Sequence, residues 1–122
     1  MPSTPNPQVW RFPCLIEKVV DGDTVDIAVH LGFRLTKRTR MRLLGINAPE
    51  MKGATLDAGR ASQLGLLKLL TEYPYLHVET HKDKFDNFGR YLAELHSENA
   101  AGDECNINER MVELGLAVRD VR

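Results

Sequence analysis

One leucine-rich segment, residues 55–73, stands between two groups of short β-patterned runs, and this order limits what the chain can fold into. Within the segment Ala61, Leu64, Leu67 and the neighbouring leucines recur at three- and four-residue steps, which predicts an amphipathic helix that packs its leucines on a core. Asp57 is its expected N-cap. Three β-patterned runs precede this helix and two follow it, so the chain predicts strands packed around a helix rather than a helical bundle.

The first two runs, "WRFPCLIEKVV" and "TVDIAV", flank Asp21-Gly22-Asp23, where Asp-Gly indicates a turn. Pro13 predicts an edge or a bulge in the first strand. The third run, "RTRMRLLGINAP", is expected to be interrupted at Gly45. After the helix come "YLHVET" and "RYLAELH", and then a short helix, "ERMVELG", that Asn108 is expected to cap and Gly115 to end.

The order β-β-β-α-β-β-α predicts an all-β or α+β fold, a five-stranded OB-fold β-barrel with two or three helices. Several small α+β folds fit the same order. The 122 residues suit a single domain over residues 10–122, preceded by a flexible, proline-containing arm over residues 1–9. A monomer is favoured over an oligomer.

Composition excludes several classes of protein. Hydrophobic residues make up 43% and charged residues 27% of the chain, as in globular proteins, and no apolar run approaches the roughly 18 residues of a membrane span. The N-terminus has no basic residue and no apolar stretch, so no secretory signal is predicted and a cytoplasmic location is expected. Cys14 and Cys105 stand alone, which excludes a cysteine-based zinc site and favours two free thiols.

A net charge of −1 argues against sequence-independent electrostatic binding of nucleic acid by the chain as a whole. The distribution of charge is more informative, because no acidic residue occurs between Phe33 and Pro49, whereas five basic residues crowd this stretch: Arg34, Lys37, Arg38, Arg40 and Arg42. In a strand Arg38, Arg40 and Arg42 share one face. Such a stripe is either a solvated face or a phosphate-binding surface.

Oxygen-bearing side chains cluster at the ends of two predicted strands. Asp21 and Asp23 begin one strand, and Asn47 and Glu50 follow another that carries Arg42. If these strands pair, hard oxygen ligands meet beside a guanidinium, which favours Ca²⁺ or Mg²⁺ and the chemistry of phosphodiester hydrolysis.

An EF-hand is excluded as the source of this cluster. Its loop would need glycine at the sixth position and glutamate at the twelfth, where this chain has Asp26 and Gly32.

Four separated motifs resemble the staphylococcal nuclease (thermonuclease) family: "VDGDTV" at 20–25, "RLLGINAPE" at 42–50, "DNFGRYLAEL" at 86–95 and "NERMVELGLA" at 108–117. The similarity extends from about Leu15 to Ala117. The resemblance implies an OB-fold nuclease that uses Ca²⁺, or Mg²⁺ as an alternative, to hydrolyse DNA, with RNA as a further candidate substrate.

The resemblance also implies a role for each matching position. Metal ligands are expected at Asp23, Asp21, Asn47 and the Ala48 carbonyl; a general base at Glu50; phosphate-clamping arginines at Arg42 and Arg90; and substrate contacts at Phe88, Arg40 and Lys84. The four histidines, His30, His77, His81 and His96, match no catalytic motif and are expected to be structural or exposed.

Two departures from the family pattern stand out. Asn47 lies where the family usually has a second metal-binding aspartate, which is expected to weaken cation binding. Family nucleases commonly continue beyond "GLA" into a substrate-side loop and a third helix, so substrate contacts from such a segment are expected to be missing here unless the sequence is truncated or a partner supplies them. The alternative to an enzyme is therefore a non-catalytic OB module that binds nucleic acid or protein.

Overall fold

The computed structural model describes residues 10–82 and 91–120, so the arm predicted over residues 1–9 lies outside the described part of the chain. The elements in chain order are β1 (Trp10–Asp21), β2 (Thr24–Gly32), β3 (Leu35–Leu43), β4 (Ile46–Asn47), a 3-10 helix (Gly53–Thr55), α1 (Leu56–Glu72), β5 (Tyr75–Lys82), β6 (Tyr91–Glu98), β7 (Glu104–Asn106), α2 (Ile107–Glu113) and β8 (Val118–Arg119).

Five of these strands close into a barrel. The main sheet has the order β3-β2-β1-β5-β6-β7, and β3 also pairs in parallel with β6 at Arg42↔Leu92 and Leu43↔Ala93. That pairing joins the two sides of the sheet, while β7 only extends β6, and β4 pairs separately with β8. The predicted five-stranded OB-type barrel with two helices is confirmed.

Strand β1 belongs to two neighbours in turn, and this explains how it contains a proline. It pairs with β5 from Trp10 to Pro13 and with β2 from Cys14 onward. Pro13 therefore lies where β1 changes partners, a place that tolerates a residue without an N–H. Two register shifts near the end of β1 mark irregular pairing just before Asp21.

The sequence did not predict the turn between β2 and β3. Phe33 and Arg34 both have positive φ, 52° and 63°, as the central residues of a type I′ hairpin require. Strand β3 therefore starts at Leu35, before the predicted run, and ends at Leu43. Gly45, with a φ of 77°, separates β3 from β4, as predicted.

The helix α1 is present, but its buried face and its N-cap differ from the prediction. The N-cap is Thr55, and Asp57 lies in the first turn. Leu64 and Leu67 are exposed by 63% and 51%, and Ala61 is also exposed. The buried face consists of Gly59, Ser62, Leu66 and Leu69. Two small residues at its N-terminal end let the helix approach the barrel closely, which periodicity of leucines alone does not reveal.

The role predicted for Asn108 is wrong as well. The cap of α2 is Asn106, whose side chain accepts the N–H of Glu109 at 3.2 Å. Asn108 lies inside the helix, buried, and its amide accepts from the N–H of Leu95 and donates to the carbonyls of Leu44 and Ala93 at 2.9–3.0 Å. It thereby ties α2 to β6 and to the segment that follows β3. Gly115 follows the helix with a φ of 72°, as predicted for its stop.

The core fills the barrel and extends under α2. Val25, Ile27, Val78 and Leu95 are fully buried on inward-facing strand positions, and Met111 of α2 is fully buried with them.

Among the described residues no helix has the length and apolar character that crossing a membrane requires. Cys14 and Cys105 are free thiols, as predicted, and burial raises the pKa of Cys14 to about 12.

Candidate active site

The turn between β1 and β2 holds two carboxylates in place. The N–H of Asp23 donates to Oδ1 of Asp21 at 3.0 Å, which fixes the turn locally. Asp23 is only 8% exposed, and its two oxygens have separate donors: the hydroxyl of Thr24 at 3.0 Å and the N–H of Ala48 at 2.9 Å. A donor from beyond β3 thus orients a carboxylate at the start of β2.

Gly22, between the two aspartates, is required by packing. A Cβ there would lie 1.8 Å from Oγ of Ser62 on α1 and 2.8 Å from Cβ of Ala48. The helix and the segment after β3 therefore press directly on the turn, and any larger residue would displace Asp21 and Asp23. The sequence predicted this glycine as a turn signal, but the close approach of Ser62 is a tertiary feature.

Arg42 lies beside Asp23 because β2 and β3 pair at Thr24↔Arg42. Its Nη2 donates to Oδ1 of Asn47 at 2.9 Å, lies 3.4 Å from Oδ2 of Asp120, and lies 3.9 Å from Oδ2 of Asp23. One third of the side chain remains exposed. The guanidinium therefore sits at the surface of the carboxylate cluster, with a face toward solvent.

The two aspartates differ in electrostatics although only Gly22 separates them. Burial, a hydrogen bond with Asp23 and repulsion from it raise the pKa of Asp21. Burial alone would raise the pKa of Asp23 too, but hydrogen bonds from Asp21, Ala48 and Thr24, together with the charge of Arg42, outweigh it and lower that pKa. As the pH rises, Asp23 therefore loses its proton before Asp21 does.

This donor set fits a hard divalent cation. Two carboxylates side by side repel each other, and an oxygen-preferring cation such as Ca²⁺ relieves that repulsion. Oδ1 of Asn47 accepts from Arg42, and its expected role as a metal ligand stays a prediction. Ala48 contributes its N–H to Asp23, while the role expected for its carbonyl stays a prediction.

Glu50 lies two residues beyond Ala48 on a segment pinned by its backbone. Its carbonyl accepts the hydroxyl of Thr55 at 2.7 Å, and a Cβ on Gly59 of α1 would meet the same carbonyl at 2.7 Å. The side chain is 72% exposed, with Oε2 3.6 Å from Nζ of Lys52. The structure therefore fixes the backbone of Glu50 and leaves its carboxylate open to solvent.

Arg40 occupies the same outer face of β3 as Arg42, as the alternation predicted, but it meets a different partner. Its Nε and Nη2 bind the two oxygens of Asp26 directly across the strand pair, at 2.8 and 3.3 Å. Arg38 likewise binds Glu17 at 3.1 Å. Arg38 and Arg40 of the basic stripe are thus paired with acidic residues of β1 and β2. This pairing fits a solvated face better than a surface free to bind phosphate.

Three of the predicted site residues, Lys84, Phe88 and Arg90, lie outside the described residues. Two residues that the sequence did not indicate belong to the site. Thr24 orients Asp23, and Asp120 reaches Arg42 because β8 pairs with β4. Thr24 stands within the "DGDT" motif, whereas no sequence signal connects Asp120 with Arg42 across 78 positions.

Comparison with known proteins identifies a relative and a family for this chain. The chain is 24% identical over 115 residues to "Endonuclease YhcR" of Bacillus subtilis (strain 168), an alignment that includes 88% of the chain and 9% of that relative. The chain thus spans less than a tenth of the length of this curated relative. The family model described as "Staphylococcal nuclease homologue" matches residues 40–121, more than half of the sequence and including Arg42, Asn47 and Glu50. The chain therefore belongs to the staphylococcal nuclease homologue family.

Proposed function

We propose that the chain is a Ca²⁺-dependent nuclease that hydrolyses phosphodiester bonds of DNA, with RNA as a second candidate substrate. The observation that carries this proposal is the buried, ionised Asp23 held 3.9 Å from the part-exposed guanidinium of Arg42. A phosphodiester at this position could bind the guanidinium of Arg42, and the carboxylates of Asp21 and Asp23 beside it could bind a cation. Membership of the nuclease family and the similarity to an endonuclease support the same activity.

In this proposal Asp23 and Asp21 hold the cation, with Asn47 and the Ala48 carbonyl as further oxygen donors. The bound cation would neutralise part of the charge that develops on the phosphate. Arg42 presents paired N–H donors to two phosphate oxygens, in exchange for its contacts with Asn47 and Asp120. A phosphate that takes over these donors frees the Asn47 amide oxygen.

Glu50 is proposed as the general base. In this role its exposed carboxylate accepts a proton from the attacking water, and the hydrogen bonds of the Ala48 N–H and the Glu50 carbonyl anchor the backbone on which it stands. Arg90 is proposed as the second phosphate clamp, and Phe88, Arg40 and Lys84 as substrate contacts. For Arg40 this requires that the substrate displaces Asp26.

The alternative is a non-catalytic module that binds nucleic acid or protein. One feature favours it: Nη2 of Arg42 already binds the neutral amide of Asn47 and lies close to Asp120. If these contacts persist when nucleic acid is present, the guanidinium of Arg42 cannot bind a phosphate, and binding occurs without hydrolysis.

Digestion of fluorescent single-stranded DNA with Ca²⁺, with and without chelator, separates the two functions. We expect Ca²⁺-dependent cleavage that falls by at least about a hundredfold in Glu50→Ala, the scale for loss of a general base. Glu104→Ala, an exposed glutamate on β7, is the matched control and should cleave at the native rate. Equal rates in native protein and Glu50→Ala would remove Glu50 from the mechanism. Binding without cleavage by the native protein would establish the module instead.

A further inference from the structure

A second group of metal-binding side chains lies on the outer face of β5 and β6. Glu79 and His81 alternate on β5, and Glu94 is directly opposite Glu79 on β6. Nε2 of His81 lies 2.8 Å from Oε2 of Glu79 and 3.3 Å from Oε2 of Glu94. One donor atom from each of the three residues falls within 4.8 Å of the others.

The remaining oxygen of each carboxylate has its own donor. Nη2 of Arg11 binds Oε1 of Glu79 at 3.0 Å, and Nδ2 of Asn106 binds Oε1 of Glu94 at 3.0 Å. These contacts leave the Oε2 atoms of both carboxylates directed at the same imidazole nitrogen. Metal sites use such outer contacts to hold their ligands in one orientation.

The cluster is partly withdrawn from solvent. The side chains of Glu79 and Glu94 are 12% and 25% exposed, and that of His81 is 36% exposed. At its edge, Nε2 of His96 is buried, lies 3.5 Å from Oε1 of Glu94, and makes no hydrogen bond with any of the described residues. His96 therefore places a second imidazole beside Glu94, at the edge of the cluster.

We propose that this cluster binds a divalent transition-metal ion, Zn²⁺ being the best match, through Nε2 of His81 and one oxygen each of Glu79 and Glu94. Zinc binds histidine nitrogen and carboxylate oxygen at about 2.0–2.2 Å in a tetrahedron, so its ligand atoms stand about 3.3 Å apart. The distance from His81 to Glu94, 3.3 Å, already equals that spacing, and the distance to Glu79, 2.8 Å, must lengthen by about 0.5 Å. Three protein ligands leave the fourth position open to water or to a small anion.

An imidazolium between the two carboxylates is the competing explanation. It would place a single Nε2 hydrogen between two acceptors, whereas a metal ion satisfies both oxygens at once. The nitrogen ligand distinguishes this cluster from the oxygen-only group at Asp21 and Asp23, where Ca²⁺ is proposed. The two sites share no ligand. Leu92 on β6 is the strand partner of His81 on β5 and also of Arg42 on β3, on the other side of β6. The backbones of His81 and Arg42 are therefore two strand spacings, roughly 10 Å, apart. The inference is independent of the proposed nuclease activity.

The test is titration of the chain with Zn²⁺ by calorimetry in metal-free buffer, and with Co²⁺ by visible absorption, which reports tetrahedral coordination. We expect one Zn²⁺ per chain at this site, with affinity at least about a hundredfold weaker in His81→Gln and in Glu94→Gln. His30→Gln is the matched control, since His30 is exposed and lies near Thr36 on the β2–β3 hairpin, and it should bind like the native chain.

Asp23→Asn serves as the second control, because it alters only the proposed Ca²⁺ site and should leave Zn²⁺ binding unchanged. Circular dichroism of each variant verifies folding. Absence of Zn²⁺ binding to the native chain at 100 µM metal would overturn the proposal. The same conclusion would follow if folded His81→Gln and Glu94→Gln both kept native affinity, because another group would then be the ligand.

Discussion

Arg40 and Arg42 are the same residue type on the same face of β3, two positions apart, yet they meet opposite surroundings. Arg40 forms a two-point ion pair with exposed Asp26 on the neighbouring strand, and each charge cancels the other. Arg42 donates to the neutral amide of Asn47, lies 3.4 Å from the carboxylate of Asp120, and stands 3.9 Å from a buried aspartate that other donors already orient.

The difference lies in what satisfies the neighbouring carboxylate. Asp26 depends on Arg40, whose hydrogen bond is the largest influence on its pKa and lowers it. Asp23 has donors from Thr24 and Ala48 and remains ionised without requiring a full ion pair with Arg42. Because Arg42 does not form a two-point ion pair with its neighbouring aspartate, its N–H donors can turn to a phosphate instead. Arg42 can therefore reach a phosphate by exchanging hydrogen-bond partners, whereas Arg40 must first break its ion pair with Asp26.

The largest contrast is expected between the two aspartates. Asp23→Asn should reduce DNA cleavage by about a thousandfold, because it removes the ionised carboxylate that the proposed cation needs. Asp26→Asn should change cleavage less than about threefold, since an exposed ion pair contributes little. Steady-state cleavage at saturating Ca²⁺ measures both. Similar losses in the two variants would contradict the distinction.

Charge-conserving changes at the arginines come next. Arg42→Lys should lower the cleavage rate by about a hundredfold, because lysine cannot present paired donors to two phosphate oxygens. Arg40→Lys should retain most of the native rate. Single-turnover cleavage is the measurement. A strong defect in Arg40→Lys would show that the substrate displaces Asp26 and that Arg40 belongs to the phosphate-binding surface.

A smaller effect is expected at Asn47, the neutral residue that receives Arg42. Asn47→Asp should raise Ca²⁺ affinity by about tenfold, because it adds an anionic oxygen beside Asp23, and each tenfold change corresponds to about 1.4 kcal/mol. Calorimetric titration with Ca²⁺ tests this. Unchanged affinity would mean that Asn47 serves only Arg42 and does not contact the cation.

The smallest effect concerns the stability of the acidic turn. The pKa of Asp21 is raised in the folded chain, so this group favours folding at low pH and loses that contribution as the pH rises above its unfolded value of about 3.9. Asp21→Asn should therefore raise the unfolding temperature at pH 7 without metal by about 1–3 °C, after allowance for solvent screening. The gain should vanish below about pH 3.9.

The same replacement should weaken Ca²⁺ binding. The repulsion between the two carboxylates would then be a cost in stability that accompanies the proposed cation site. Thermal unfolding followed by circular dichroism across pH 3–8 is the measurement. A lower unfolding temperature at neutral pH would mean that the hydrogen bond from the Asp23 N–H to Asp21 outweighs the repulsion between the two carboxylates.

The helices show where sequence patterns misplace a residue. Leucine spacing located α1, but the face that packs on the barrel is the one with Gly59 and Ser62, because small residues permit contact with Gly22 and the backbone of Glu50. Asn108 resembled a cap by its position before a short helix. Its three hydrogen bonds to β6 and Leu44 depend on the packing of α2, which the local sequence does not encode.

The candidate site divides in the same way. Local sequence specifies the Asp21-Gly22-Asp23 turn and the position of Arg42 on β3, because turn chemistry and strand alternation act over a few residues. The order of elements was compatible with a five-stranded barrel but also with other small α+β folds. Motif resemblance then identified the family.

Only the tertiary structure decided how these groups are paired. Asp23 is buried under the N–H of Ala48, Asp120 reaches Arg42 through β8, and Asp26 cancels Arg40 across β2 and β3. His81, one of the four histidines that matched no motif, forms a cluster with Glu79 and Glu94 because β5 and β6 are paired antiparallel. Hydrogen bonds and charge interactions act at distances of about 3–4 Å, so their partners are fixed by the closed barrel and not by spacing along the chain.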